Sequence, residues 1–216
     1  MSGVILKLGG YGFILVSPCS SIYSSLVMYL SLLGGLVCSL LCFVAWDTKC
    51  VVAYSSIIHI GVVCLGVVSG LEIGYHAAIA ILISHSLVSP LLFCLAYYLY
   101  QATSSRCFIL GHRITNHGFL LFFLAIFVGL NFGLPPSIAF WVEVAVFSFI
   151  GCNFLGGCVI LAFVAFFSFL FCVYFYIRSA AGSLSRASPI CFSYFQFLPS
   201  LVYSFLLCIS GSLFSF

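Results

Sequence analysis

The stretch Gly129-Leu130-Asn131-Phe132-Gly133-Leu134-Pro135-Pro136-Ser137-Ile138-Ala139-Phe140-Trp141-Val142-Glu143 decides the reading of this chain. It lies inside an apolar run, 117–151, that is otherwise written as helix. Two prolines remove backbone donors and clash with the preceding turn, so the helix must break at Pro135-Pro136. Freed backbone groups are costly in hydrocarbon unless protein or water satisfies them. Discontinuous helices recur at ion sites in transporters, so the break is either a simple kink or part of an ion path.

Around this stretch the composition leaves lipid as the only fitting solvent. Of 216 residues, 65% are hydrophobic and 4% are charged, against about one quarter charged in soluble domains. Six Lys or Arg and three Asp or Glu could not cover a water-exposed surface. The net charge of +3 and the lack of a basic run argue against a nucleic-acid partner. The start, Met1-Ser2-Gly3-Val4, carries no charged leader region. Twelve cysteines are scattered singly through apolar runs with no C-x-x-C pair, and they read as small hydrophobes rather than as a metal or disulfide framework.

A bilayer crossing takes about 20 helical residues. Spans are expected near 3–18, 22–45, 50–69, 74–100, 117–151 (broken), 154–178 and 192–214, forming a single transmembrane domain over 1–216. Charge decides how the broken run is counted. Taken as one span, Lys49, Arg106, Arg113, Arg178 and Arg186 all fall on one side, opposite Glu72. Taken as two, Arg178 and Arg186 change sides and the bias is lost. The positive-inside rule favours the first. The expectation is an all-α, polytopic membrane helix bundle of seven spans with a discontinuous fifth, its N-terminus on the positive side.

Four ionisable residues fall within spans: Lys7, His59, His85 and Glu143. Each costs roughly 2–3 kcal/mol or more to insert at the bilayer centre, and such groups usually mark an ion or proton path. Lys7 sits among Gly9, Gly10 and Gly12, with Tyr11 one turn on. It can line a closely packed interior or snorkel to the headgroups, and the sequence leaves both open. Ser55 and Ser56 share the face of His59, and Ser89 that of His85. The two histidines read either as satisfied packing residues or as a relay. Imidazole suits a relay because it titrates near neutral pH. A metal site is disfavoured, since neither helix offers a second ligand at the right spacing. Glu143 follows Pro136 by roughly 10 Å of helix, with only apolar neighbours in sequence. His76, His112 and His117 lie at span ends or in a loop and receive no role.

Several runs, taken in order, match a known family. Leu6-Lys7-Leu8-Gly9-Gly10-Tyr11-Gly12 resembles the start of the eighth membrane helix in the NADH-ubiquinone oxidoreductase chain 4 family, an antiporter-like subunit of respiratory complex I. Asp47-Thr48-Lys49 with Ala53-Tyr54-Ser55-Ser56-Ile57-Ile58-His59 looks like its ninth-to-tenth helix junction. Ser84-His85-Ser86-Leu87-Val88-Ser89-Pro90-Leu91-Leu92-Phe93 is similar to its eleventh helix, and Leu134-Pro135-Pro136 followed by Glu143 to its broken twelfth. The paralogous chain 2 typically carries Lys where this chain has Glu143. Chain 5 typically carries Lys shortly after the eleventh-helix histidine, where Val88-Ser89-Pro90 stands here. Ser86 and Pro90 depart from the common Gly and Ser of the family.

The resemblance implies an antiporter-like complex I subunit fold that translocates protons, coupled to electron transfer from NADH to ubiquinone. Lys7 would be the central channel lysine, His59 and His85 the connecting relay, and Glu143 the terminal group of the exit half-channel. The positive side would be the matrix, and the location the mitochondrial inner membrane. The abundance of Phe (25), Tyr (12) and Cys (12) fits a T-rich organellar coding strand. NADH, FMN, iron–sulfur clusters and ubiquinone would be bound by other subunits, with no cofactor in this chain. The expected partners are other membrane-arm subunits and the lipid bilayer. The family is built of fourteen spans as inverted repeats, and this chain matches the last seven. The first half is therefore a separate polypeptide or is missing from the sequence. Two alternatives stand beside this reading: a subunit of a cation/proton antiporter of the same superfamily, and a purely structural half-subunit.

Overall fold

The computed structural model describes residues 5–16, 24–103, 106–107, 118–135, 137–153 and 155–181. The expected span 192–214, and with it Arg113, Arg186 and Pro136, lies outside the described residues. Every regular element among the described residues is a helix: α1 (Ile5–Val16), α2 (Ser24–Val44), α3 (Thr48–Val68), α4 (Glu72–Thr103), α5 (Gly118–Phe132), α6 (Ile138–Asn153) and α7 (Leu155–Ala181). Of these, α2, α3, α4 and α7 are each long and apolar enough to cross a bilayer. The chain is a multi-pass membrane helix bundle. α3 is the most enclosed of its helices, and α2 and α7 show most of their surface outward.

The turns between helices follow from local chemistry. Asp47 caps α3, its carboxylate accepting from the Lys49 N–H at 3.0 Å. The Thr48 N–H donates to the Arg106 carbonyl at 3.3 Å, which ties the start of α3 to the chain just beyond α4. Gly70, with φ +67°, takes the left-handed conformation that reverses the chain between α3 and α4.

Helix directions follow from named contacts. Phe43 near the end of α2 meets Phe167 and Tyr174 of α7, with ring centroids 6.3 and 6.2 Å apart. α7 therefore runs parallel to α2, and Arg178 ends at the same pole as Lys49 and Arg106. Glu72 stands at the opposite pole, where α3 turns into α4. The described cations outside α1 thus gather at one end of the bundle.

The broken segment runs lengthwise against α4. One apolar cluster joins Phe123, Leu124 and Phe127 of α5 to Val88, Leu92, Leu95 and Leu99 in the C-terminal half of α4. A second joins Ile138, Val142, Val146 and Ile150 of α6 to Ala77, Ala78 and Ile81 in its N-terminal half. α5 and α6 make few contacts with each other while α4 and α7 pack on both. They are therefore two half-helices placed end to end in one span, not a hairpin of two spans. Gly133, with φ +82°, makes the bend between them.

α3 and α4 touch backbone to backbone near the Glu72 pole. A Cβ on Gly74 would collide with the Gly66 carbonyl oxygen and the Ser69 hydroxyl, and a Cβ on Gly66 would lie 2.9 Å from the Gly74 carbonyl. Gly74→Ala is expected to cost about 3 kcal/mol, because backbone cannot move aside as a flexible side chain can. Nothing lies within 4 Å of a Cβ on Gly34, so Gly34→Ala is the matched control. The thermal unfolding midpoint of the detergent-solubilised protein should fall for the first and hold for the second.

Candidate proton path at the waist of the bundle

Between the two apolar clusters lies a belt of buried polar side chains. His59 falls between Ile58 of one cluster and Val62 of the other, and His85 between Val88 and Ile81. Asn131 sits likewise between Val128 and Ile138. Lys7, His59, His85, Ser89 and Asn131 are all buried. Buried polar groups of this kind are costly unless they are paired or used.

The belt can be followed from one side to the other. The Lys7 ammonium donates to the Ser89 hydroxyl at 3.3 Å, so the side chain points into the bundle rather than out to the headgroups. Ser89 is one turn from His85 on α4. The His85 and His59 rings lie 4.6 Å apart between centroids, tilted by 39°. His59 then lines a cavity of about 30 Å³ together with Asn131, Glu143 and Ser168, a volume large enough to hold water. Glu143 is half-buried, and its carboxylate backs onto the bend, 3.5 Å from where a Cβ on Gly133 would stand. The four ionisable residues singled out in the sequence thus fall in one polar belt that crosses α1, α4, α3 and α6.

The serines flanking the histidines turn back onto their own helices. Ser55 donates to the Val52 carbonyl at 2.8 Å, Ser56 to Ala53 at 2.9 Å and Ser84 to Ile81 at 3.1 Å. Each spends its proton on its own helix, the usual behaviour of serine within a helix. Ser89 differs, since its oxygen accepts from Lys7. Sequence reasoning also passed over Asn131 and Ser168 as lining residues. A lone amide in the apolar run ahead of Pro135 was a usable signal for Asn131. Ser168, which donates to the Ala165 carbonyl at 2.8 Å, gave none.

The chemistry open to this line is proton storage and transfer. Ammonium, imidazole and carboxylate each take and release a proton without other change. Among the described residues no third His, Cys, Asp or Glu joins the His59–His85 pair to make a ligand set. If the rings act as one step, removing either should stop transfer as fully as removing both. His59→Ala, His85→Ala and the double variant are therefore expected to show the same residual proton translocation, measured with a pH-sensitive dye in vesicles. Independent multiplicative losses would show that the rings serve separate paths.

Residues 1–172 match the protein family described as NADH:quinone oxidoreductase/Mrp antiporter, transmembrane. The chain is 33% identical over 185 residues to NADH-ubiquinone oxidoreductase chain 4 of Artemia franciscana, covering 84% of this chain and 47% of that protein. It is 36% identical over 187 residues to the same subunit of Mytilus edulis, covering 82% of this chain and 42% of that protein. It thus spans about half the length of the curated relatives it matches. Its fold matches a chain of respiratory complex I from Thermus thermophilus with a TM-score of 0.84 and 20% identity, over 96% of this chain and 45% of that one. With 172 consecutive residues matched and the broken helix built as described, the chain belongs to the NADH:quinone oxidoreductase/Mrp antiporter family of membrane subunits.

Proposed function

We propose that this chain is the C-terminal half of a chain 4-type membrane-arm subunit of complex I, and that it carries protons along Lys7, His59, His85 and Glu143. The observation that carries this reading is the His59–His85 ring pair at 4.6 Å, with the Lys7–Ser89 hydrogen bond on one side and the Glu143 cavity on the other. Lys7 serves as the central store, the imidazoles as the step across α4 and α3, and Glu143 as the last acceptor before release. Electron transfer from NADH to ubiquinone supplies the energy. The redox cofactors belong to other subunits, and this chain binds none. Its partners are the neighbouring membrane-arm subunits and the seven spans that precede it in its relatives, whether these come on another polypeptide or earlier in a longer chain. The location is the mitochondrial inner membrane, with the pole bearing Lys49, Arg106 and Arg178 toward the matrix.

The family description also covers Mrp antiporters, so a cation/proton antiporter subunit is the second reading. Purification of the native respiratory complex, with mass spectrometry of its small hydrophobic subunits, separates the two. Peptides of this chain in a complex that oxidises NADH and acidifies vesicles without sodium support the first. Absence from that complex, with proton exchange that requires sodium, establishes the second.

A further inference from the structure

Asn131 occupies a place that the backbone itself creates. In an α-helix the carbonyl of one residue accepts from the N–H four residues on. For Asn131 that residue is Pro135, which has no N–H. The chain tightens instead, the Gly133 N–H donating to the Leu130 carbonyl at 3.3 Å and the Leu134 N–H to Gly129 at 3.0 Å. Neither of these bonds uses the Asn131 carbonyl. Asn131 and His59 stand together in the wall of one cavity. Asn131 is only 4% exposed. Its Oδ1 and the Nδ1 of His59 are buried without a hydrogen-bond partner among the described residues. Glu143 stands in the same cavity as both.

We propose that Asn131 is a positioning residue for proton transfer between His59 and Glu143, a step that rests on the relay reading given above. A His59 ring protonated on both nitrogens presents one N–H to the freed carbonyl and amide oxygen of Asn131. This fixes the ring so that its proton leaves into the Glu143 cavity rather than back toward His85. The proton ends on a Glu143 carboxylate oxygen, giving a neutral imidazole and a carboxylic acid. Asn131 accepts a hydrogen bond and takes no proton. The helix break that interrupts the span thus also supplies the acceptor that gives the relay its direction.

The test uses the assembled complex in vesicles. Asn131→Leu keeps the size of the side chain and removes its polar atoms. It should lower NADH-driven proton translocation about tenfold and raise the solvent deuterium isotope effect on turnover. Asn131→Ser, which restores an oxygen, should recover most of the loss. Pro135→Ala returns an N–H that captures the Asn131 carbonyl, and should give a smaller fall in the same direction. His59→Ala and Glu143→Gln are measured alongside. If these two stop translocation while Asn131→Leu and Pro135→Ala pump normally, the positioning role is overturned and the relay stands. If His59→Ala and Glu143→Gln themselves pump normally, the relay reading has failed. Equal losses for Asn131→Ser and Asn131→Leu, with no change in isotope effect, would reduce Asn131 to packing. Should Asn131→Leu fail to assemble, the serine and Pro135→Ala variants decide.

Discussion

Glu143→Gln is expected to stop coupled proton translocation while leaving the assembled complex in place. Glutamine keeps the shape of the side chain and its hydrogen-bonding oxygen, so the cavity shared with His59, Asn131 and Ser168 stays filled in the same way. What disappears is the ability to take up a proton. Losing a positioned acid or base costs about a hundredfold or more in a proton-transfer step. The ratio of protons moved to NADH oxidised, measured in vesicles with a pH-sensitive dye, should fall accordingly. Native gels should show the complex at its usual abundance. Translocation at the native ratio would mean that the carboxylate is a bystander, and would leave the chain with the structural role weighed against the relay from the start.

Replacing Lys7 is expected to have an effect of similar size, and the choice of replacement separates two consequences. Lys7 is 8% exposed and its ammonium meets Ser89, which is itself fully enclosed. Lys7→Met keeps most of the volume and removes the proton carrier. It should lose translocation about a hundredfold with little change in stability. Lys7→Ala removes the carrier and also opens a cavity between α1 and α4, so it should add a destabilisation of about 2–4 kcal/mol. Translocation and thermal unfolding, measured on both variants, give the two quantities separately. A methionine variant that pumps normally would show that Lys7 is there for packing alone.

Much of the architecture could be read from the chain because lipid imposes few solutions. Apolar length and the side on which cations lie were enough to count the broken run once. The structure gives the physical counterpart of that choice, with α5 resting on one half of α4 and α6 on the other. The four ionisable residues were legible because charge is rare in hydrocarbon and each instance demands an explanation. Their mutual geometry was not. Lys7 and Ser89 are 82 residues apart, and no local pattern links them. Nor does helix periodicity say that the His59 and His85 rings come within 4.6 Å of each other, tilted, rather than lying on neighbouring helices with their rings apart. A shared helix face did not say how Ser55 and Ser56 are bonded, since a serine in a helix satisfies itself on the preceding turn. Asn131 was read as part of a break, and its importance lies in what the break leaves unbonded.

The two apolar clusters that flank the polar belt also have an electrical meaning. A membrane voltage of 100 mV is worth about 2.3 kcal/mol to each charge that crosses it. That voltage falls mainly across dry, weakly polarisable matter and little across hydrated or polar matter. The layer around Phe127, Leu95 and Leu99 and the layer around Val142, Ile81 and Ile150 are the apolar, weakly polarisable matter here. They act as two insulating plates with a conducting sheet between them. On the proposed path, most of the electrical work of moving a proton would be done in passing through a plate. The apolar residues that look like mere filling therefore decide where along the path the voltage is felt.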